Sequence, residues 1–470
     1  MPMRLTTRAQ VSGHRFLLRR MTGALVRRDA RLLHEPMRTQ TRAALGGAVL
    51  GVLGIAGFAV WGLFSKPAVL GEEPLVLARD SGTLHLRVDD RLHPVTDLAS
   101  ARLILGEPVS PTVVPDTVLD DLDRGPLVGV LGGPGRLPDP DREIPGVWTL
   151  CRHDGEAGLS LILGGQEPAD PHAATVLGAD SAVLVRSGDD THLLWDGGRS
   201  RVDAGDLPVL RALGLAETTP AVVPTELLDA LPERAAVTVP QIPGAGTTPA
   251  RRAAGESVGD VITTDGADGA ARHHLVLADG LQEVGPVAAE LIRYGGGRQL
   301  RLGAERIAGV PGTQDPLALG HLPATVPEVR ADPDVLCVRW SAPESGGARA
   351  QTAVLAGREL PVPDSHRTAI PAQTEATVRA VHLPAGAGVF VRLHGTGAEG
   401  GTVVVTDTGV RHGVPTDAVE ALGLGAEPVF APWPMLALLP AGPDLRTHDA
   451  LVVRDTATAP PADGILAAED

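Results

Sequence analysis

Lysine is nearly absent. Lys66 is the only one in 470 residues. That excludes P-loop nucleotide hydrolases, Schiff-base enzymes and pyridoxal-dependent enzymes, because each needs a lysine inside its site. Aromatic side chains are scarce too: five Trp, five Phe and one Tyr. So few rings leave little on which sugars could stack, which argues against a glycan binder. Cysteine is limited to Cys151 and Cys337. No CxxC and no HExxH occurs, so the common zinc spacings are missing. Glycine (57) and proline (41) are plentiful. They predict many turns and short elements, not a helical bundle or a coiled coil. The apolar fraction, 43%, is enough for a real core.

The charge is unevenly spread. Residues 1–42 hold ten Arg against Asp29 and Glu35, a balance of +8, whereas 67–470 hold 30 basic and 55 acidic residues, a balance of −25. An acidic body of this kind repels phosphates, so no nucleic-acid partner is expected. Between the two parts runs Ala43 to Phe64, 22 residues without a charge. A bilayer core needs about 20 such residues, and in lipid the backbone must be helical to satisfy its own amides. Ala43, Gly47 and Gly51 line one face, with Ala44 and Ala48 beside it. Small residues at this spacing allow close helix contact, although glycine is common in membrane helices anyway. A cleaved signal peptide would have a shorter basic region and an apolar core of about 7–15 residues. An uncleaved anchor is therefore expected. Arg38 and Arg42 abut its N-terminal side, which places the N-terminus in the cytoplasm and 67–470 outside.

Before the anchor, Thr6-Thr7 starts a helix-compatible stretch reaching about His34, where Glu35-Pro36 ends it. Leu17, Met21, Ala24 and Leu25 share one face, and Arg8, Arg15, Arg19, Arg27 and Arg31 fall mostly elsewhere. Such a helix suits either an anionic membrane surface or a cytosolic partner.

In an oxidising exterior, the two cysteines suggest a disulfide. Both sit in strand-like contexts 186 positions apart. Four stretches also resemble one another: His85–Pro115, His192–Pro224, His273–Gly295 and Val403–Pro432. Each opens with an alternating apolar run and turns at Asp89-Asp90, Asp196-Gly197, Asp279-Gly280 or Asp407-Thr408-Gly409. Asp and Gly tolerate the positive φ of tight hairpins. A valine and a helix-like stretch follow, ending near Gly106, Gly214, Gly295 and Gly423. The turns are 107, 83 and 128 residues apart, too irregular for a solenoid. The segments around Cys151 and Cys337, Val261-Ile262 and Val378–Leu393 are expected to supply a central sheet.

Catalytic chemistry is hard to find. Gly255-Glu256-Ser257-Val258-Gly259 matches the nucleophile-elbow pattern, but a strand pattern follows it where a helix should. Gly132-Gly133-Pro134-Gly135-Arg136 is a poor phosphate loop, since its proline lacks an amide donor. His273 and His274 are neighbours on a strand and point to opposite faces. The acids Asp120, Asp121, Asp123, Asp139 and Asp141 read as solvated loop residues. No catalytic residue, cofactor or metal site is expected.

The N-terminal run Thr6-Thr7-Arg8-Ala9-Gln10-Val11-Ser12-Gly13-His14-Arg15-Phe16-Leu17-Leu18-Arg19-Arg20 resembles the opening of the EccB family of type VII (ESX) secretion systems of actinobacteria. So do Ala24–Asp29 and His34–Arg38, and, near the end, Asp407–Pro415, Ala421–Gly425 and Pro432-Trp433. The cysteine pair is similar to the family's disulfide. The resemblance implies an α+β chain with a single N-terminal transmembrane helix. After it comes an elongated extracytoplasmic domain of four β-hairpin/helix repeats around a central β-rich domain. It implies a structural subunit of an inner-membrane export machine, partnered by the EccC motor ATPase, EccD, EccE and a mycosin protease in a hexameric arrangement. The basic helix would then meet a partner. Some family members are described as ATPases, and ATP hydrolysis stands as the second reading. The expected division is 1–42 cytoplasmic, 43–64 membrane helix, 65–84 linker and start of the outer domain, and 85–135 first repeat. Next come 136–190 central domain, 191–245 second repeat, 246–300 third repeat region and 301–400 central domain again. The fourth repeat is 401–455, and 456–470 form a flexible tail.

Overall fold

The structure is a computed structural model that describes residues 7–27, 36–64, 71, 73–88, 91–142, 144–155, 158–165, 170–266, 269–343, 350–363, 369–371, 377–384, 386–394, 401–425 and 427–454. The chain divides into two bodies, Met1–Gly71 and Glu72–Asp470. The first body is helical, with helices Arg8–Arg27 and Pro36–Phe64. Gln10 Oε1 accepts from Thr7 N at 3.0 Å, which fixes the first turn of the leading helix. The break expected at Glu35 lies outside the described residues.

Four modules of one design build most of the second body. The first has strands Leu75–Ala78, Leu84–Val88 and Arg91–Pro94 as an antiparallel meander. Helix Leu98–Leu105 follows, and Thr112–Val114 returns parallel to the first strand. Spatial order is therefore third, second, first, fourth. The third module repeats this with Val261–Asp265, Ala271–Val276, Leu281–Val284, helix Pro286–Tyr294 and Gln299–Arg301. The fourth does so with Val389–His394, Thr402–Val405, Arg411–Val414, the short helix Val419–Leu422 and Val429–Pro432. In the second, Ser181–Ser187, Asp190–Trp195, Gly198–Val202, helix Leu207–Ala212 and Ala221–Val222 take the same places. There Glu233–Val237 adds a strand parallel to the third. Among the described residues the same edge elsewhere carries a strap, joined by the isolated parallel bridges Leu92↔Arg124 and Val95↔Val128 in the first module, Leu281↔Gly312 in the third and Arg411↔Ala441 in the fourth.

Local chemistry explains the design. Asp196 and Gly197 both have positive φ, 45° and 68°, as a two-residue hairpin requires. Gly106 and Gly423 end their helices in the left-handed region. Asp97 caps the first module's helix. Its Oδ1 accepts from Ser100 N at 2.8 Å, and its Oδ2 accepts from the Thr96 hydroxyl at 2.7 Å. Ser100 Oγ in turn accepts from Val130 N at 2.9 Å, tying the cap to the next segment. Asp97→Ala should cost about 1–2 kcal/mol, read as a lower denaturation midpoint at unchanged slope.

A seven-stranded sheet joins the modules, in the order Ala369–Pro371, Val378–His382, Leu159–Leu163, Val147–His153, Val335–Ser341, Gln351–Gly357, Thr175–Val176. Its apolar side chains Trp148, Leu150, Leu161, Leu336 and Val338 share one core with Val183 and Leu194 of the second module and Val391 and Val405 of the fourth. Two further cores pair the modules through their helices. Ala99 and Leu103 of the first meet Phe390, Val404 and Leu422 of the fourth. Val209 and Leu213 of the second meet Val287 and Leu291 of the third. The chain is thus nested: the outer modules pair with each other and so do the inner ones.

Two expectations need correction. Each module begins one strand earlier than its hairpin turn suggests. Leu75–Ala78 lies in the stretch expected to hold the linker and the start of the outer domain, whereas Ser181–Ser187 and Val389–His394 lie in stretches assigned to the central domain. Val261-Ile262 belongs to the third module and not to the central sheet. These strands are buried on both faces, so their sequence does not reveal which sheet they join.

Candidate functional site

Within helix Pro36–Phe64, Gln40–Trp61 is long and apolar enough to cross a membrane, with a mean hydropathy of 2.1. None of that stretch is buried by protein, and Leu50, Ile55 and Phe58 are each more than two-thirds exposed. A bare apolar cylinder is unstable in water and stable in hydrocarbon. The leading helix is also uncovered: Phe16, Leu17, Leu18 and Met21 are all at least half exposed. Among the described residues of this body, nothing covers these apolar side chains.

Cys151 and Cys337 are bonded to each other. They face each other across adjacent antiparallel strands of the seven-stranded sheet, with Cα atoms 4.0 Å apart. Both are fully buried, among Ile162, Ala174, Val335 and Leu355. Three residues away, Trp148 and Trp340 form another facing pair. At the end of the same strand, Arg152 is held by Asp154 at 3.1 Å and by the Pro333 carbonyl at 3.0 Å.

The motifs that hinted at chemistry prove to be turns. In Gly255–Gly259 the Glu256 carboxylate is buried and accepts from the amides of Ala253 and Ala254, at 2.5 and 2.7 Å. Asp260 next to it accepts from Ser257 N at 2.7 Å and from Arg298 Nη2 at 2.6 Å. Burial pushes the Asp260 carboxyl up, but Arg298 and the amides outweigh it and hold it below its usual range. Strand Val261–Asp265 then follows, so no helix receives the serine. Gly132–Arg136 is a turn beside the Asp97 carboxylate and Pro443. His273 and His274 bond Thr263 and Thr264 respectively. Asp120, Asp121, Asp123, Asp139 and Asp141 are exposed. Among the described residues no group of three could hold a metal ion.

A cleft of about 550 Å³ lies on the fourth module, lined by Phe390, Arg392, Thr402, Val419 and Glu420 among others. One cation and one carboxylate on an apolar floor do not form an acid–base or nucleophilic constellation. The Asp260–Arg298 clamp and the Asp97 cap were not singled out in the sequence. An Asp three residues before Ser100 was the available signal for the cap. Nothing local marked Arg298, 38 positions from its partner.

The family described as "Type VII secretion system ESX-1, transport TM domain B" matches residues 3–459. The chain is 37% identical to the ESX-3 secretion system ATPase EccB3 of Mycobacterium tuberculosis, over 96% of this chain and 90% of that protein. It is 33% identical to the ESX-5 secretion system ATPase EccB5 of Mycobacterium marinum, over 96% and 94%. Among solved structures it is similar to a chain of an intact ESX-5 inner membrane complex, with TM-score 0.74 and 32% identity, covering 100% of this chain and 99% of that one. It is also similar to the EccB3 dimer from the ESX-3 core complex, with TM-score 0.70 and 34% identity, covering 81% and 100%.

Proposed function

The chain belongs to the EccB family of type VII secretion systems, and we infer that its work is structural: it is a membrane-anchored subunit whose second body helps build the periplasmic part of an ESX inner-membrane complex. The observation that carries this is the whole-chain match to a subunit of such a complex, together with the one helix, among the described residues, that is long and apolar enough to cross a membrane. In this reading residues 1–42 lie in the cytoplasm and the acidic remainder lies outside, as the charge split favours. Pairing of Cys151 with Cys337 suits that oxidising side. The leading helix, with its uncovered apolar residues, meets a cytosolic part of a neighbour. The EccC motor ATPase, EccD, EccE and a mycosin protease are the partners, and several copies, arranged as a hexamer, surround a common axis. Blue-native electrophoresis of gently solubilised membranes should find the chain in a very large assembly. Migration as a monomer would contradict the reading.

The second reading is ATP hydrolysis, favoured by the name of the relatives. No residue here offers a phosphate-binding lysine, since Lys66 stands at the edge of the apolar segment. Purified chain should release no phosphate from ATP above a buffer control. Release that survives further purification would revive the enzyme.

A further inference from the structure

In the first module a strap from Leu119 to Val128 lies along the third strand, Arg91–Pro94. Leu92 N donates to Asp123 O, and Gly125 N donates to Leu92 O, both at 2.9 Å. Gly125 presses so flat on the His93 ring that a Cβ there would stand 2.3 Å from it. His93 Nδ1 is 3.1 Å from Pro126 O. The strap continues into Leu127-Val128, which pairs with Val453-Arg454 near the other end of the chain. It therefore joins the first module to the last described strand.

Arg124 ties this strap to the sheet's interior. Its Nη1 lies 2.9 Å from His85 Nε2, and its Nη2 donates to Leu119 O at 3.2 Å. A guanidinium has donors only, so the contact needs a lone pair on Nε2, and His85 must be neutral. His85 is 5% exposed. Protonation would put a hydrogen on Nε2 and bring two cations together in a site poor in water. The charged groups acting on His85 are Arg124 and Asp116. Asp116 is already engaged by the amides of Asp80 and Ser81. On the flanking strands the residues paired with His85 are Val76 and Pro94, which carry no charge.

We propose that Arg124 and His85 form a proton-operated latch: neutral His85 holds the strap closed, and one proton taken up at Nε2 releases Arg124 and loosens the pairing of Leu127-Val128 with Val453-Arg454. Burial first, and Arg124 second, hold the His85 pKa below its ordinary value, against opposing pulls from Thr83 and Asp116. A group of this sign keeps the strap fully closed above its open-state pKa, about 6.5. Closure weakens as pH falls from there toward the closed-state value. One proton can change the open fraction by at most about tenfold per pH unit.

The test is hydrogen exchange by mass spectrometry on the full chain in detergent, at pH 7.5, 6.5 and 5.5 and corrected for intrinsic rates. The strap peptides should open increasingly below pH 6.5, by up to about tenfold per unit, while peptides of Val147–His153 and Val335–Ser341 stay protected. His85→Gln keeps an acceptor for Arg124 but does not titrate, so its strap should ignore pH. His93→Gln removes the other histidine that touches the strap, so its strap should be looser at every pH yet keep the same pH response. Equal strap protection at pH 7.5 and 5.5, or a pH response surviving in His85→Gln, would overturn the latch. If His85→Gln loses protection in the central sheet, Arg124→Gln serves in its place. Arg124 is exposed, and its loss should loosen the strap at every pH and shrink the response, because only the burial of His85 still opposes its protonation. A response of undiminished size there would overturn the proposal.

Discussion

Loss of the bond in Cys337→Ser should cost the second body about 2–5 kcal/mol, with a further cost from the new hydroxyl, and lower its melting temperature by several degrees. Two effects act in the same direction. The bond joins residues 186 positions apart. In the chain-entropy model such a long loop puts the gain near 5 kcal/mol, an upper figure because strain is ignored. The substitution also leaves a hydroxyl at a fully buried position among Ile162, Val335 and Leu355. An unpaired buried hydroxyl costs roughly 1–3 kcal/mol more. The Cys151/Cys337 double alanine variant separates the terms, since it loses the bond without adding a polar group. Reductant should lower the midpoint of the unaltered chain and leave both variants unmoved. A variant as stable as its parent would show that the sheet holds its register without the bond. The register has independent support, because six facing pairs besides the cysteines, from Val335↔His153 to Ser341↔Val147, align the two strands.

Leu50→Arg should remove the chain from the membrane fraction and with it from any large assembly. Leu50 sits near the middle of Gln40–Trp61 and is 71% exposed. An arginine at the centre of a membrane helix costs about 2.5–3.5 kcal/mol on insertion scales. This helix has little reserve to absorb that, because Gly46, Gly47, Gly51, Gly54 and Gly57 contribute almost no apolar surface. Membrane flotation reads the outcome directly. Leu50→Ala, which keeps the segment uncharged, should still float. If the arginine variant floats as well as its parent, the segment is held by protein contacts and not by lipid.

Features decided within a few residues were legible in the sequence. Asp196-Gly197, the glycines ending the helices and the uncharged stretch all act through local backbone preference or bulk hydrophobicity. The pairing of the two cysteines could be foreseen because there are no others. Partner choice across long separations was not legible. Ser181–Ser187 has the same apolar run as a central strand, yet it pairs within the second module. Val261-Ile262 misled for the same reason. The docking of the first module on the fourth rests on contacts such as Arg102 Nη1 to Leu422 O, 2.7 Å across 320 positions. The strap along Arg91–Pro94 has no periodic pattern, and its hold depends on Gly125 and Arg124 meeting two histidines from other strands.

Sidedness is the quickest point at which the whole account can fail. A pair of reporters fused in turn to the C-terminus answers it: alkaline phosphatase, active only beyond the membrane, and green fluorescent protein, bright only within the cytoplasm after this route of export. The phosphatase fusion should be active and the fluorescent fusion dark. A bright fluorescent fusion with an inactive phosphatase would put the acidic body in the cytoplasm and contradict a periplasmic role.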